Sequence, residues 1–322
     1  MVEIPEEGRG SEETKVEQTG LAARISRVVG AFQDEFAMSL LDEIVRTKAA
    51  EIEQRKGQVP LSELITRFST DQLPVLSDAL ATPGIHIIAE IKYCSPSFGR
   101  FACQEPPETI GEEYVKGGAT AISVVTDEPY FAGRLEFLDR IRNLFSGSGR
   151  ERNRGGEAEA VLEPVPLLRK DFILDRYQLA EARSHGASAA LLIVSCLGRA
   201  RLGELLNRCQ DFGIEALVEI HSARELEIAL HSGARLLGVN NRNLENFEVD
   251  IQTSFEIARL MEGESGYILV AESGISDAVA ILELRDAGFS GFLVGTCLMS
   301  SSNPGQALRK LVSADPRQEL TS

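Results

Sequence analysis

The sequence predicts an α/β fold in which eight parallel strands alternate with helices and close into a (β/α)₈ barrel, preceded by a helical extension. Two observations lead to this prediction. After Pro83-Gly84 the chain alternates between short apolar runs and amphipathic helical segments, which is typical of βαβ units around a parallel sheet. These eight units span roughly 225 residues, close to the ~250 residues of a TIM barrel. A doubly wound open sheet is the alternative fold for such a pattern.

The segment before the first strand predicts three helices. Ser39-Leu-Leu-Asp resembles a capping box, and the apolar residues after it recur at helical spacing, which indicates an amphipathic helix over 35–56. A second, shorter helix is expected from Pro60 to about Phe68, and a third from about Leu73 to Ala81.

The predicted domain organisation has one large unit. We expect residues 31–84 to form a helical extension packed on the barrel, and residues 85–315 to form the barrel itself. Residues 1–30, poor in large apolar side chains, and 316–322 are expected to be tails, the first of them disordered. Residues 146–160 interrupt the repeat and indicate a flexible polar insertion between a helix and a strand. Such a connection lies on the bottom face of a barrel, so no catalytic role is expected for it.

Each strand is predicted from a short apolar run. The eight runs are Ile87–Ile91, Ala121–Val125, Val165–Leu168, Ala189–Val194, Ile214–Val218, Leu236–Val239, Tyr267–Val270 and Gly291–Val294. Several helices end in a glycine suited to the left-handed position after a helix: Gly118, Gly186, Gly213, Gly233 and Gly288. The expected helix N-caps are Asp175, Ser222 with Glu225 three residues later, and Ser276.

Composition excludes several classes of function. A formal charge of −16 argues against a nucleic-acid surface, which would need clustered Lys and Arg. The five cysteines form no CxxC pair, so neither a zinc site nor a disulfide framework is indicated. No run approaches the length of a membrane span, and the acidic start lacks a signal pattern. We therefore expect a cytoplasmic protein without nucleic-acid or membrane partners.

Polar residues collect where the predicted strands end, which is where barrels build their active sites. Glu90 and Lys92 are two apart on the first strand and so point to the same face, where they could pair. Arg169 and Lys170 end the third strand and point opposite ways, so at most one enters the barrel mouth. The fifth, sixth and seventh strands deliver Glu219, Asn240 with Arg242, and Glu272. One such residue alone is usually a structural ion pair, a cap or a turn, but their convergence indicates catalysis.

Small residues follow the last two strands, at Ser273-Gly274 and Gly295-Thr296. The ends of strands seven and eight are where TIM barrels commonly hold a phosphate on backbone N–H groups, so a phosphorylated small-molecule substrate is expected. The sequence contains no GxxxxGK[ST], GxGxxG or HExxH motif, which argues against nucleotide hydrolysis, dinucleotide binding and zinc catalysis.

Together these residues resemble the indole-3-glycerol-phosphate synthase family. The resemblance is carried by six motifs in order: Ile88-Ala-Glu-Ile-Lys-Tyr-Cys-Ser-Pro-Ser-Phe-Gly99, Leu168-Arg-Lys-Asp-Phe172, Leu217-Val-Glu-Ile-His221, Gly238-Val-Asn-Asn-Arg-Asn-Leu244, Glu272-Ser-Gly-Ile275 and Leu293-Val-Gly-Thr296. It covers about residues 36–312. The resemblance implies conversion of 1-(2-carboxyphenylamino)-1-deoxyribulose 5-phosphate to indole-3-glycerol phosphate, carbon dioxide and water in tryptophan biosynthesis. It implies no metal and no cofactor, since decarboxylation restores aromaticity without an electron sink.

The resemblance also implies a role for each site residue. Lys170 would be the general acid of ring closure, tuned by desolvation, and Lys92 would bind the anthranilate carboxylate and donate a proton during dehydration. Glu219 would be the general base of the last step, and Glu90 would stabilise the cationic intermediate. The substrate would be oriented by Asn240, Arg242, Glu272 and Ser273, and its phosphate held by Ser95, Gly274, Gly295 and Thr296.

The chain departs from the family's usual pattern at Tyr93, Cys94 and Phe98, which bears on closure of the first loop, and in the length of the 146–160 insertion. Alternatives are a phosphoribosylanthranilate isomerase, a non-catalytic regulatory barrel subunit, or a copy supplying indole to specialised metabolism. The isomerase uses a Cys and Asp pair at different strand ends, whereas this chain has Glu-x-Lys at the first strand. The resemblance implies other tryptophan-pathway enzymes as partners.

Overall fold

The computed structural model describes residues 39–70, 72–145, 162–244 and 246–313. The predictions made for residues 1–30, 146–160 and 316–322, and for the start of the extension at 31–38, fall outside these ranges. The division of the chain into extension, barrel and tails therefore stays a prediction.

Eight parallel strands close into a barrel in which the order around the barrel follows the chain, with the first strand pairing back to the last. The barrel strands are β1 (His86–Ile91), β4 (Ala121–Val125), β5 (Leu167–Lys170), β6 (Ala189–Ile193), β7 (Glu215–Ile220), β8 (Leu236–Asn240), β9 (Ile268–Glu272) and β10 (Gly291–Val294). A short antiparallel hairpin, β2 (Cys94–Ser95) and β3 (Gly99–Arg100), lies in the loop after β1. Each predicted strand lies within two residues of an observed one at both ends, and the doubly wound alternative is wrong.

Helices surround the barrel and precede it. The described helices are α1 (Leu40–Gln58), α2 (Leu61–Thr66), α3 (Leu76–Leu80), α4 (Pro107–Lys116), α5 (Glu136–Arg142), α6 (Arg176–Ser184), α7 (Val194–Phe212), α8 (Ala223–His231), α9 (Gln252–Met261), α10 (Ala278–Asp286), α11 (Thr296–Met299) and α12 (Pro304–Val312). Helix α7 is kinked at Gly198, whose φ is 63°. No helix within the described ranges has the length and apolar character that crossing a membrane requires.

Alternate residues of each strand face different cores, because side chains on a strand alternate between its two sides. Ile88, Leu168, Leu217 and Val270 belong to the cluster that fills the barrel interior. Their strand neighbours pack outward in a second cluster with the surrounding helices, as Ile87 and Ala89 do. A filled interior leaves the strand ends as the place where a cavity can form.

Polar contacts at the ends of two helices help to fix the extension on the barrel. The hydroxyl of Tyr177 on α6 donates to the carbonyls of Arg55 and Val59 at the end of α1, at 3.0 Å and 2.9 Å. At the amino ends of the strands, the carboxylate of Glu215 accepts from the N–H groups of Leu76 and Ser77 and so caps α3. The Glu215 carboxylate satisfies N–H groups that the start of a helix leaves without partners inside the helix.

The local signals are mostly confirmed. Ser39 forms the predicted capping box with Asp42, and Asp175 forms one with Gln178. All five glycines predicted after helices have φ between 62° and 106°. Ser222 accepts from the N–H of Glu225 as expected, although the Glu225 carboxylate accepts from the His221 N–H instead of returning to Ser222.

The prediction of Ser276 as an N-cap is wrong. Asp277 holds that position, and its carboxylate accepts from the N–H groups of Val279 and Ala280, each at 3.0 Å. Because one Asp277 oxygen accepts from both N–H groups, the helix begins one residue later than predicted.

Candidate active site

A cavity of about 450 Å³ opens at the carboxyl ends of the barrel strands. Its lining includes every predicted site residue: Glu90, Lys92, Ser95, Lys170, Glu219, Asn240, Arg242, Glu272, Ser273, Gly274, Gly295 and Thr296. Six strands or the loops after them supply these twelve residues, so barrel closure is what brings them together. Within the described residues, no group of His, Cys, Asp and Glu is arranged to hold a metal ion.

Glu90 and Lys92 form an ion pair on one side of the cavity, with the Lys92 ammonium 2.6 Å from Glu90 Oε1. Both residues point inward from the end of β1, as their spacing of two predicts. Gly295 on the neighbouring strand end lies against this pair, because a Cβ at that position would collide with the Glu90 carboxyl group. A glycine is therefore needed beside Glu90.

Lys170 lies between two buried carboxylates. Its ammonium is 2.6 Å from Glu219 Oε2 and 3.0 Å from Glu272 Oε2. Arg169 points the other way, into a buried pairing with Asp171 and Glu181, as the strand alternation predicts. Burial alone would lower the pKa of Lys170, but the charges of Glu219, Glu272 and Glu90 outweigh it and raise this pKa above its ordinary value. The neighbouring carboxylates, and not desolvation, therefore decide the direction in which the pKa of Lys170 shifts.

Glu219 is surrounded by donors and cations. Besides Lys170, the Asn240 amide donates to its Oε1 at 3.1 Å, and Nε2 of His221 lies 3.2 Å from the same oxygen. Burial would raise the pKa of Glu219, but Lys170 and His221 hold it well below its usual range. Glu219 is therefore an ionised carboxylate with a fixed orientation.

Glu272 has the opposite environment. Neither of its buried carboxyl oxygens has a well-aligned hydrogen-bond donor among the described residues, although Lys170 lies at ion-pair distance. Burial and the neighbouring Glu219 charge raise the pKa of Glu272 to about 7, against the attraction of Lys170. Gly238 on the adjacent strand leaves the space that this carboxyl group occupies. Glu272 can therefore gain and lose a proton near neutral pH.

The far end of the cavity is made of backbone. Ser273 and Gly274 are both left-handed, with φ of 63° and 77°, and the Asn241 amide donates to the Ser273 carbonyl at 3.0 Å. Helix α11 begins at Thr296, and the first N–H groups of a helix have no acceptor within it. Ser95 lines the same cavity from the loop after β1. This end can hold an anion such as phosphate.

Arg242 joins two loops above the cavity. Its own N–H donates to Asn240 Oδ1 at 3.0 Å, and its guanidinium donates to the Phe247 carbonyl at 3.0 Å. The same guanidinium nitrogen reaches Ser97 Oγ, in the loop after β1, at 3.4 Å. Burial lowers the pKa of Arg242 from its ordinary value without removing its charge at neutral pH.

A family model described as indole-3-glycerol phosphate synthase matches residues 41–311. The chain belongs to this family. It is 39% identical to the indole-3-glycerol phosphate synthase of Carboxydothermus hydrogenoformans, over 85% of this chain and 99% of that protein. It is 40% identical to the one from Salinibacter ruber, over 85% of this chain and 95% of that protein. The crystal structure of 3-hexulose-6-phosphate synthase from Salmonella typhimurium shares the fold, with a TM-score of 0.54 at 11% identity over 71% of this chain and 98% of that one.

His221 lies beside the cavity residues of this indole-3-glycerol-phosphate synthase family member, although it was not among the predicted site residues. His221 contacts Glu219 from two residues away and is also 3.1 Å from Glu225. Burial would lower the pKa of His221, but the bonds to these two carboxylates raise it to about 10. The alternation that linked Glu90 to Lys92 applies equally to Glu219 and His221, so the sequence held a signal for this residue.

An apolar wall faces the charged side of the cavity, and the sequence prediction missed it. Phe131 and Phe172 contribute rings whose centroids are 6.1 Å apart, and α1 adds Leu40, Leu41 and Ile44. No local signal identifies these residues, because apolar side chains in loops and on an amphipathic helix look like ordinary core residues. The cavity therefore has charged residues, apolar residues and an end formed by backbone groups.

Proposed function

We propose that this chain is the synthase that converts 1-(2-carboxyphenylamino)-1-deoxy-D-ribulose 5-phosphate to indole-3-glycerol phosphate, carbon dioxide and water in tryptophan biosynthesis. The observation that carries the proposal is the position of Lys170 in the cavity. Its ammonium lies between Glu219, which stays ionised, and Glu272, whose pKa is near neutral. Catalytic sites commonly give similar groups such unequal proton affinities. An aromatic wall and an anion-binding end complete the match to the two ends of this substrate.

Lys170 is the general acid of ring closure. The aromatic carbon bearing the carboxylate attacks the ribulose carbonyl, a carbon–carbon bond forms, and the carbonyl oxygen takes a proton from the Lys170 ammonium to become a hydroxyl. The raised pKa of Lys170 ensures that the proton is present at neutral pH. When Glu272 takes up a proton, one of the three negative charges that raise the pKa of Lys170 is removed, which favours transfer of the Lys170 proton.

Decarboxylation follows without help from an electron sink in the protein. The bond to the carboxylate breaks, its electron pair returns to the ring system, and aromaticity is restored. Lys92 binds this carboxylate before it leaves, and Glu90 stabilises the cationic nitrogen of the intermediate. The Lys92–Glu90 pair presents both charges within one side of the cavity.

Dehydration completes the reaction. Lys92 donates a proton to the departing hydroxyl, which leaves as water, while Glu219 removes the proton from the neighbouring carbon. Asn240, Arg242, Glu272 and Ser273 orient the substrate, and Ser95, Gly274, Gly295 and Thr296 hold its phosphate. Holding the substrate at both of its ends brings its reacting carbons together. Such positioning supplies much of the acceleration in a reaction within one molecule.

The test is to incubate the purified protein with the carboxyphenylamino-deoxyribulose phosphate, in the presence of a chelator, and to follow indole fluorescence. The chain contains no tryptophan, so fluorescence from the product is seen against a low protein background. We expect product with the wild type and a large loss with Lys170→Ala. No product from folded wild-type protein would refute the function and favour the non-catalytic alternative, while activity only after metal is added would refute the metal-free reaction.

Two further proposals concern the location of the protein and its partners. All five cysteines are free, which fits a reducing compartment and supports a cytoplasmic location. Association with other tryptophan-pathway enzymes is supported by the family resemblance alone.

A further inference from the structure

Lys48, on helix α1 of the extension, is a buried lysine outside the barrel. Its side chain is 1% exposed. The ammonium lies 2.8 Å from Asp127 Oδ2, 3.1 Å from Asp171 Oδ1 and 3.0 Å from Glu51 Oε2. Three carboxylates therefore surround one ammonium, which donates a hydrogen bond to Glu51 and forms ion pairs with Asp127 and Asp171.

The two aspartates belong to different strand ends. Asp127 lies two residues after β4, and its Oδ1 accepts from the N–H of Tyr130 at 2.9 Å, which fixes the loop that carries Phe131. Asp171 follows Lys170 directly, and its Oδ1 accepts from the N–H of Phe172 at 2.8 Å. Lys48 therefore cross-links the loop after β4 to the end of β5.

Helix α1 contacts the β4 loop a second time, one residue before Lys48. The hydroxyl groups of Thr47 and Tyr130 are 3.1 Å apart. The helix thus holds this loop through both a side-chain charge and a hydroxyl pair.

The cross-link lies directly behind the cavity. Asp127, Asp171, Phe131, Phe172 and Lys170 all line it. Among the described residues, Lys48 is the one cation within 4 Å of Asp127, whose pKa burial raises even against the attraction of Lys48. Removal of Lys48 would leave a buried carboxylate without a counter-ion, which proteins avoid by rearrangement or by protonation.

We propose that Lys48 is a positioning residue for catalysis, which holds the Phe131–Phe172 wall and the end of β5 that carries Lys170 in their working arrangement. The extension then acts as part of the catalytic apparatus in addition to stabilising the barrel. This inference rests on the proposed function, since it assigns Lys48 to the same reaction.

The test compares Lys48→Met with Lys56→Met. Methionine has a similar length and no charge. Lys56 is the matched control, because it also reaches from α1 to a barrel aspartate, Asp175 at 3.1 Å, but this partner does not line the cavity. Steady-state kinetics are measured with the same substrate at a temperature where circular dichroism shows all variants folded.

We expect Lys48→Met to lose about tenfold or more in kcat/KM, through both a higher KM and a lower kcat, because displacements of about 1 Å at reacting groups have such effects. Lys56→Met should stay within about twofold of the wild type in both parameters. Lys48→Arg should fall between Lys48→Met and the wild type, since it restores the charge but not the geometry of three separate donors.

A purely structural role would lower the melting temperature of Lys48→Met while its kcat/KM at low temperature stayed normal. Wild-type kcat/KM in folded Lys48→Met, or in Lys48→Arg should Lys48→Met not fold, would overturn the inference. An inactive wild type in the same assay would instead refute the proposed function, so the two failures are distinguished.

Discussion

Glu219 and Glu272 share the ammonium of Lys170 but differ in their affinity for a proton. Glu219 also has Asn240 and His221 as neighbours, whereas Glu272 has no well-aligned donor among the described residues. Hydrogen bonds and opposite charges favour the ionised form, and burial without them favours the neutral form. The site therefore holds a fixed negative charge and a titrating group about one ammonium.

Glu272 should destabilise the protein above neutral pH. Its pKa is raised from 4.5 to about 7 on folding, so the native state binds more protons than the unfolded state between these values, and the free energy of unfolding falls as pH rises through this range. Glu272→Gln should remove this dependence. We expect a higher melting temperature than the wild type at pH 8, by roughly 2–4 °C for each kcal/mol gained, together with reduced kcat/KM.

Thermal unfolding followed by circular dichroism from pH 4.5 to 8 measures this effect. Equal slopes for Glu272→Gln and the wild type would show that Glu272 is ionised throughout the range.

Substitution of Lys170 and substitution of Lys92 should change different kinetic parameters. Lys170→Ala removes the proposed general acid, so kcat should fall by about 10² to 10⁴ with less effect on KM. Lys92 meets the substrate carboxylate in the ground state as well, so Lys92→Ala should raise KM and lower kcat together. Arginine should rescue neither variant fully, because guanidinium is a poor proton donor near neutral pH. If Lys170→Ala kept a near-normal kcat while Lys92→Ala was inactive with unchanged substrate affinity, Lys92 and not Lys170 would be the general acid of ring closure.

At the scale of the element, the site depends on close packing between neighbouring strand ends. Gly295, after β10, lies against Glu90 at the end of β1. Gly295→Ala should displace the Glu90 carboxyl group and break its pairing with Lys92, because the added Cβ would occupy that space. We expect a loss of about tenfold or more in kcat/KM.

Gly203→Ala in α7 is the matched control for Gly295→Ala. Its Cβ would meet nothing within 4 Å, and an alanine inside a helix is favoured over glycine by about 0.5–1 kcal/mol. This variant should be as active as the wild type and slightly more stable. Normal kinetics in Gly295→Ala would show that Glu90 can shift without consequence.

The elements that the sequence predicts well are those whose signals are local. Strands appear as short apolar runs, and the residues at their ends, such as Glu90 and Lys92, follow from an alternation of two. The cap at Ser276 was misplaced by one residue, because both it and Asp277 suit an N-cap and only the backbone course decides between them.

The contacts that join separate elements could not be predicted in the same way. Lys48 occupies one position of an amphipathic helix, where a lysine normally indicates a solvated face. Its partners Asp127 and Asp171 come from strand ends far along the chain, and only the closed barrel brings them to it. Phe131 is likewise an ordinary loop residue until the fold places it opposite Phe172.

At the scale of the whole molecule, the barrel gathers the predicted catalytic residues on one face. Changes in sequence on the opposite face should therefore have little effect on activity. In the sequence, residues 146–160 come between α5 and β5. A connection from a helix to a strand is expected on the face of a barrel opposite the active site. Deletion of residues 147–157 should therefore leave kcat/KM within about twofold of the wild type. The measurement is steady-state kinetics on the folded deletion variant. A large loss of turnover there would show that the insertion acts on the site or on a partner.

The cap of α3 has a consequence for synthesis of the chain. Leu76 and Ser77 receive their carboxylate from Glu215, which for Leu76 is 139 residues further along. At about 5–20 residues per second, a ribosome takes on the order of 10 s to make that partner after the helix itself. During this interval Leu76 and Leu80, which are fully buried in the finished protein, have no barrel to cover them. We therefore expect this early helix to stay without its native partners, and open to chaperones, until the middle of the barrel has been made.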